Sequence, residues 1–184
     1  MYKRQQNDFA DPSGSLFVAG GDQIIDEVNR HIAAAEAADA PVFYTQDWHP
    51  PTTPHFVTDG GIWPVHCVRD TWGAELHPSL AVHGPVVRKG KGGEDGYSGF
   101  TMRDPETGET APTELRALLD ERGIDRVVVV GLALDVCVKA TAADALELGY
   151  SVVVPVAASA AVDLQPGDGA AAVEELAALG ASIA

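Results

Sequence analysis

The feature that most constrains the fold is a fully apolar, β-branched run, RVVVVGL (Arg126–Leu132), which stands just before a helical segment. Such a run is typical of a strand that is buried on both faces. Shorter β-rich segments alternate with helical ones along the rest of the chain. We predict strands over Pro41–Gln46, around Val86–Val87, and over Arg126–Leu132, Ser151–Val156 and Ala181–Ile183, and helices over Asp22–Ala38, Thr113–Arg122, Asp135–Leu148 and Gly169–Leu179.

This alternation predicts an α/β fold, a parallel sheet flanked by helices on both faces. Sites in such sheets lie at the carboxyl ends of the strands. The chain has 184 residues, which suits a single domain over 1–184. The helix near Asp22 has no strand before it, and Met1–Gln5 is too short and polar to be one. We therefore expect that the first central strand is truncated, missing or replaced.

Charge and composition exclude several classes of protein. The 12 Lys+Arg residues stand against 27 Asp+Glu, and the formal net charge of −15 would repel nucleic-acid phosphates. No apolar run approaches the roughly 20 residues of a membrane span, and no signal-peptide pattern opens the sequence. We expect no nucleic-acid partner, no membrane association and a cytoplasmic location, where Cys67 and Cys137 would remain reduced.

Cys137 follows the run Arg126–Leu132, in the segment GLALDVC, where the next helix is predicted to begin. The free N–H groups and the dipole at the start of a helix favour a thiolate and can also bind an oxyanion. The alternative is an inert buried cysteine. Composition alone favours that alternative, because free cysteines are usually core residues.

A carboxylate and several imidazoles follow the strand predicted over Pro41–Gln46. Asp47 and His49 are two residues apart, so in an extended chain both side chains can point to one side. His55 and His66 come later in the same loop-rich stretch. One carboxylate with two or three imidazoles is a donor set for a divalent metal. The alternative is a group of solvated loop histidines, and the spacing favours the metal site.

Lys89 and Lys91 follow the strand predicted at Val86–Val87, in the glycine-rich loop KGKGGEDG. A cation there can stabilise a thiolate or a developing oxyanion, although a solvated loop lysine is the commoner case. Aromatic residues also cluster around these segments. They either belong to the core or form the walls of a site for a flat heteroaromatic substrate: Phe9, Trp48, Trp63, Trp72, Tyr97 and Phe100.

Together these segments resemble the nicotinamidase/pyrazinamidase branch of the isochorismatase-like cysteine hydrolases. The likeness covers nearly the whole chain. It implies a parallel sheet flanked by helices, and an amidohydrolase that converts nicotinamide to nicotinate and ammonia through a cysteine thioester, in NAD salvage. The segments that carry it are QNDF (Gln6–Phe9), TQDWHPPTTPHF (Thr45–Phe56), WPVHCVRDTWGAELHPSL (Trp63–Leu80) and GLALDVCVKATAADALELGY (Gly131–Tyr150).

The resemblance also implies roles for single residues. Cys137 matches the nucleophile and Lys89 the catalytic lysine, with Lys91 a weaker match. Leu132 and Ala133 match a non-proline cis peptide, which turns the N–H groups of Ala133 and Cys137 toward the substrate carbonyl. One divalent metal ion (Zn, Fe or Mn) is implied, with the ligands Asp47, His49, His55 and His66. The ring-binding pocket is matched by Phe9, Trp63 and Tyr97.

One position departs from the family pattern. The family's catalytic Asp stands three residues before the N-D-F triplet, where this sequence has Arg4, and a guanidinium does not accept a proton at neutral pH. The resemblance therefore predicts poor activity for the sequence as it stands. Two alternatives remain beside a nicotinamidase. One is another cysteine amidase of the superfamily that acts on a carbamoyl or ureido substrate, and the other is a catalytically dead, metal-containing binding protein. The oligomeric state, a homo-oligomer included, is left open.

Overall fold

The predicted alternation of strands and helices is present in the structure, a computed structural model that describes residues 5–184. The strands are β1 (Tyr44–Asp47), β2 (Val86–Lys89), β3 (Thr101–Arg103), β4 (Thr110–Pro112), β5 (Arg126–Val128), β6 (Gly131–Leu132), β7 (Ser151–Val154), β8 (Ser159–Ala160) and β9 (Ser182–Ile183). The helices are α1 (Asn7–Ala10), α2 (Ile25–Ala37), α3 (Leu115–Asp120), α4 (Lys139–Glu147) and α5 (Asp168–Leu179).

The strands that carry the fold pair in parallel. Strand β1 pairs with β2, β7 lies between β5 and β9, and β6 pairs with β8. An antiparallel hairpin, β3–β4, is added to these parallel groups. The prediction of an α/β fold with parallel strands and flanking helices is therefore confirmed.

Alternate residues of the run Arg126–Leu132 pack on opposite faces, as a strand buried on both sides requires. Val127 and Val129 belong to one core cluster, and Val130 and Leu132 belong to another. The first cluster contains Leu115 and Leu119 of α3, Ala142 and Ala145 of α4, and Leu176 of α5. The second contains Ile25, Val28 and Ile32 of α2. Helices consequently cover both faces of this segment.

The same run forms two strands rather than the single predicted strand. β5 pairs with β7, whereas β6 pairs with β8. Gly131 has a φ of +110°, a backbone conformation that favours glycine, and the chain changes partner strands there. The hairpin β3–β4 was not predicted, because its residues are exposed or half-buried and show no apolar alternation.

The QNDF segment anchors the loops around the carboxyl end of β1. The buried side-chain amide of Gln6 accepts a hydrogen bond from the backbone N–H of Asp47 (2.7 Å) and donates one to the Asp47 carbonyl (2.8 Å). The carboxylate of Asp8 accepts a hydrogen bond from the backbone N–H of Cys67 at 2.6 Å. The expectation about a missing first strand concerns residues up to Arg4, which lie outside the described residues.

The helices between residues 5 and 184 are all too short or too polar to cross a lipid bilayer.

We predict that Leu176→Ala lowers the free energy of unfolding by about 2–5 kcal/mol, because it leaves a cavity in a packed core. The matched control is Leu179→Ala, since Leu176 is 0% exposed and Leu179, on the same helix, is 59% exposed. The control should change stability by no more than about 0.5 kcal/mol. Urea unfolding measures both. Equal losses in the two variants would contradict this assignment of the buried face of α5.

Candidate active site and metal centre

A buried ion pair joins the carboxyl ends of β1 and β2. Asp47 and Lys89 are directly opposite each other in the parallel register, and Oδ1 of Asp47 lies 3.0 Å from Nζ of Lys89. The Lys89 side chain is completely buried. Its ammonium also donates hydrogen bonds to the carbonyls of Gly96 and, at 3.3 Å, Tyr97. These partners compensate a charge that would otherwise be costly to bury.

Cys137 lies beside this ion pair. A π-helical turn, Leu134–Val138, carries it, and the carbonyl of Ala133, the residue just before that turn, accepts hydrogen bonds from the N–H groups of Val136 and Val138. The Sγ atom of Cys137 is 3.8 Å from Nζ of Lys89. The peptide bond between Leu132 and Ala133 is cis. The Cys137 sulfur thus lies beside a buried cation, a neighbour that an inert core cysteine lacks.

The three histidines of the expected metal site are buried together. Each of His49, His55 and His66 offers a ring nitrogen, and these atoms lie within 4.8 Å of one another. The Oδ2 atom of Asp47 is 3.7 Å from Nε2 of His49 and 4.0 Å from Nε2 of His66. The structure therefore brings all four expected ligands to one place.

His49 provides the test of whether a metal fits. Both of its ring nitrogens are buried and have no hydrogen-bond partner among residues 5–184. A buried imidazole without partners is destabilising, and coordination of a metal would remove that cost. Gly90 makes room for this ring, because a Cβ there would come within 2.6 Å of it. Three imidazoles and a carboxylate are suitable ligands for a divalent ion.

The other two imidazoles are oriented by hydrogen bonds. Nδ1 of His66 lies 2.7 Å from the Pro64 carbonyl, and Nδ1 of His55 lies 2.6 Å from Oδ1 of Asp95. Burial lowers the pKa of His55, and the hydrogen bond to Asp95 partly opposes that shift. A lowered pKa favours the neutral imidazole, which is the form that binds metals.

A cleft lies between these groups. Its lining is mainly apolar and aromatic with a few polar groups, as is usual for a small-molecule site. Phe9, Trp63 and Tyr97 all line it, and Nε1 of Trp63 donates a hydrogen bond to the Tyr97 hydroxyl at 2.9 Å. The lining also includes Asp47, His55 and His66 from the metal site, and Gly96, Ala133 and Val136 from the surroundings of Cys137.

Several other aromatic and basic residues lie away from the cleft. The Trp48 ring packs against the Arg88 guanidinium at 3.7 Å, Trp72 is 48% exposed, and Phe100 stacks on Tyr150 in a core cluster. Lys91 is exposed, so Lys89 is the lysine of this loop that reaches Cys137. The expected departure at Arg4 lies outside the described residues.

Sequence reasoning missed two groups of residues at this site. Leu16 and Val162 line the cleft, although neither stands in a recognisable motif. Asp95 contacts His55, but it stands beside Glu94 in one glycine-rich loop, and nothing in the sequence separates the two carboxylates.

Comparisons with known proteins identify similar sequences and structures. Residues 5–184 match the model of the isochorismatase domain. The nicotinamidase of Escherichia coli is 37% identical over 97% of this chain and 90% of its own. A pyrazinamidase of Pyrococcus horikoshii, solved in complex with zinc, superposes with a TM-score of 0.87 at 35% identity, covering 100% of this chain and 96% of its own. PnC1 from L. infantum, solved in complex with nicotinate, gives 0.85 at 37% identity, covering 100% and 89%.

We predict that iodoacetamide at neutral pH labels Cys137 in the folded protein and leaves Cys67 unlabelled. Cys137 is 4% exposed, its Sγ lies 3.8 Å from a cation, and the nearby residues Ala133 and Val136 line the cleft. Cys67 is 0% exposed, and its Sγ lies 3.7 Å from the Gly73 carbonyl. Peptide mass spectrometry identifies the labelled site. Cys67→Ser should keep the labelling and Cys137→Ser should abolish it. Faster labelling of Cys67 would contradict the assignment of Cys137 as the reactive thiol.

Proposed function

Because this chain belongs to the isochorismatase family, we propose that it hydrolyses nicotinamide to nicotinate and ammonia in NAD salvage. The observation that carries the proposal is the position of Lys89. Its Nζ lies 3.8 Å from the Cys137 sulfur and 3.0 Å from Asp47, which stands beside the histidine cluster. An aromatic cleft lined by metal-site residues and by residues next to the nucleophile suits a flat pyridine carboxamide.

The relatives support this choice of substrate. The E. coli relative is a nicotinamidase, and the L. infantum relative holds nicotinate, which is the product of the proposed reaction. The P. horikoshii relative holds zinc and is a pyrazinamidase. An aromatic ring with a carboxamide is common to these activities. We place the enzyme in the cytoplasm, where Cys137 stays reduced.

Asp47, His49, His55 and His66 would hold one divalent ion, and we propose zinc. When bound, the ion supplies a Lewis acid for the pyridine nitrogen, which orients the ring. Phe9, Trp63 and Tyr97 form the walls around that ring. The carboxamide then lies toward Cys137.

Catalysis runs through the sulfur of Cys137. The thiolate, stabilised by the Lys89 ammonium, attacks the carboxamide carbon, and a C–S bond forms as the carbonyl electron pair moves to oxygen. The N–H groups of Ala133 and Cys137 stabilise this oxyanion. Collapse breaks the C–N bond, and the leaving nitrogen takes the proton that the thiol gave up, so that it departs as ammonia. Water then attacks the thioester, which releases nicotinate and restores the thiol.

We predict that Cys137→Ala lowers ammonia release from nicotinamide to the background rate without enzyme, because the nucleophile is lost. Cys67→Ser, the matched control, should retain most of the activity. A coupled ammonia assay on the purified, zinc-loaded protein measures both. The proposal fails if the protein binds zinc but releases ammonia from carbamoyl or ureido compounds and not from nicotinamide.

Metal removal provides an independent test. Prolonged treatment with a strong chelator should raise KM for nicotinamide more than it changes the reactivity of Cys137 toward iodoacetamide, since the metal orients the ring and Lys89 activates the sulfur. Added zinc should lower KM for nicotinamide to its value before the chelator treatment. Unchanged kinetics in verifiably metal-free protein would contradict the proposed role of the histidine cluster.

The group that takes the thiol proton is the subject of a further prediction. In the family pattern it is an Asp at position 4, where this chain has Arg4. The variant replaces the residues before Gln5 with an apolar extended segment that ends in Asp at position 4. We expect it to be about 10²–10⁴ times more active than the present sequence, which is the usual contribution of a general base. Ammonia release from nicotinamide compares the two. Comparable activity would refute this account of the base.

A further inference from the structure

We propose that Asp95 is a positioning residue of the metal centre: its carboxylate sets the orientation and the tautomer of His55, so that His55 offers Nε2 to the ion. This inference deepens the proposed function and rests on it, because it assumes that the histidine cluster binds a metal. It concerns a residue that neither lines the cleft nor belongs to the ligand set.

The contact between the two side chains determines which ring nitrogen of His55 is available to a metal ion. Nδ1 of His55 lies 2.6 Å from Oδ1 of Asp95, and the two side chains are only 4% and 9% exposed. A carboxylate accepts hydrogen bonds and does not donate them, so Nδ1 carries the hydrogen and Nε2 keeps its lone pair. A hydrogen bond to a buried carboxylate is also stronger than one between neutral groups. Asp95 therefore holds the ring in one tautomer and one orientation.

Asp95 is itself held in place by the hairpin. Its backbone N–H donates to the Arg103 carbonyl at 2.7 Å, and the Arg103 N–H donates back at 3.0 Å. Nη1 of Arg103 lies 3.8 Å from Oδ2 of Asp95, the oxygen that His55 does not use. The hairpin β3–β4, whose strands bury little of their surface, thus fixes a carboxylate behind the metal site.

A second link joins the same loop to His55. The Thr53 hydroxyl accepts a hydrogen bond from the backbone N–H of His55 at 3.2 Å and donates one to the Gly93 carbonyl at 2.6 Å. The backbone and the ring of His55 are therefore both held by the loop around Asp95. This double link gives His55 little freedom to rotate.

The three imidazoles differ in how they are held. His66 uses the neutral carbonyl of Pro64, and His49 has no hydrogen-bond partner within residues 5–184. His55 is the imidazole of this cluster whose ring nitrogen is paired at hydrogen-bond distance with a carboxylate. Carboxylate–histidine–metal arrangements are a recurrent device for orienting ligands, and loss of the carboxylate typically weakens metal binding about 10–100-fold.

The test is the zinc affinity of the full chain, measured by competition with a chelator of known affinity at fixed pH. We expect Asp95→Ala to bind zinc about 10–100-fold more weakly than the unaltered protein. Asp95→Asn keeps an oxygen that can accept the Nδ1 hydrogen, so its affinity should fall between the two. Glu94→Gln is the matched control, because it removes a carboxylate from the next residue, whose side chain contacts the Gly92 N–H instead. It should bind zinc within about twofold of the unaltered protein.

Thermal unfolding supplies a second readout. The upward shift in Tm on adding zinc should be smaller for Asp95→Ala than for Glu94→Gln, because stabilisation by a ligand follows its affinity. The Tm values of the metal-free variants separate loss of metal binding from loss of folding. If Asp95→Ala does not fold, Asp95→Asn decides the matter, and its zinc affinity must lie below that of Glu94→Gln.

Each outcome bears on the proposal. Equal zinc affinities for Asp95→Ala and Glu94→Gln would overturn it. So would equal affinities for Asp95→Asn and Asp95→Ala, since the acceptor oxygen would then be irrelevant. An unaltered protein that does not bind zinc would overturn the metal centre along with Asp95's role. A protein that binds zinc but does not hydrolyse nicotinamide would overturn the proposed function, and the zinc affinities would still decide the role of Asp95.

Discussion

The buried pair of Asp47 and Lys89 is the interaction on which the rest of the site depends. An ammonium with no accessible surface needs an opposite charge, because desolvation of a lone buried ion costs several kcal/mol. The pair stands at the carboxyl ends of two adjacent parallel strands, so the backbone register sets its geometry. Cys137 lies in the turn Leu134–Val138, which follows β6, and its sulfur is next to the same ammonium. One charge pair consequently connects the sheet, the nucleophile and the histidine cluster.

The sequence predicted the fold well where burial follows a local pattern. Val127 and Val129 on one face, with Val130 and Leu132 on the other, are what a doubly buried strand should show. The position of Asp47 and Lys89 at the carboxyl ends of strands also followed, because sites in parallel sheets lie there. Their direct pairing was not predicted and comes from the strand register. Local patterns did not reveal the change of partner at Gly131, since it depends on the neighbours that each half of the run finds in the fold.

The sequence predicted the reactive and metal-binding residues of the site better than the residues that orient them. Residue type and spacing pointed to the metal ligands, and the family resemblance pointed to the cysteine and the lysine, whereas Asp95 emerged only from the folded geometry. The aromatic residues show the same limit. Trp63 and Tyr97 meet in the cleft, but Trp48 packs on Arg88, and only the family resemblance had separated the first two from the third. Closeness in sequence does not determine which aromatic side chains line the cleft, because loops bring distant residues together.

The two oxygens of the Asp47 carboxylate contact different groups, and this affects how mutations of the enzyme can be interpreted. One oxygen lies against Lys89 and the other faces the rings of His49 and His66. A substitution at this position perturbs two chemistries at once, so its phenotype cannot be attributed to either. Changes at His66 and at Lys89, made singly and then combined in a double-mutant cycle, would apportion the effect between them. For the same reason, a natural variant at Asp47 would alter the ion pair and the metal site together.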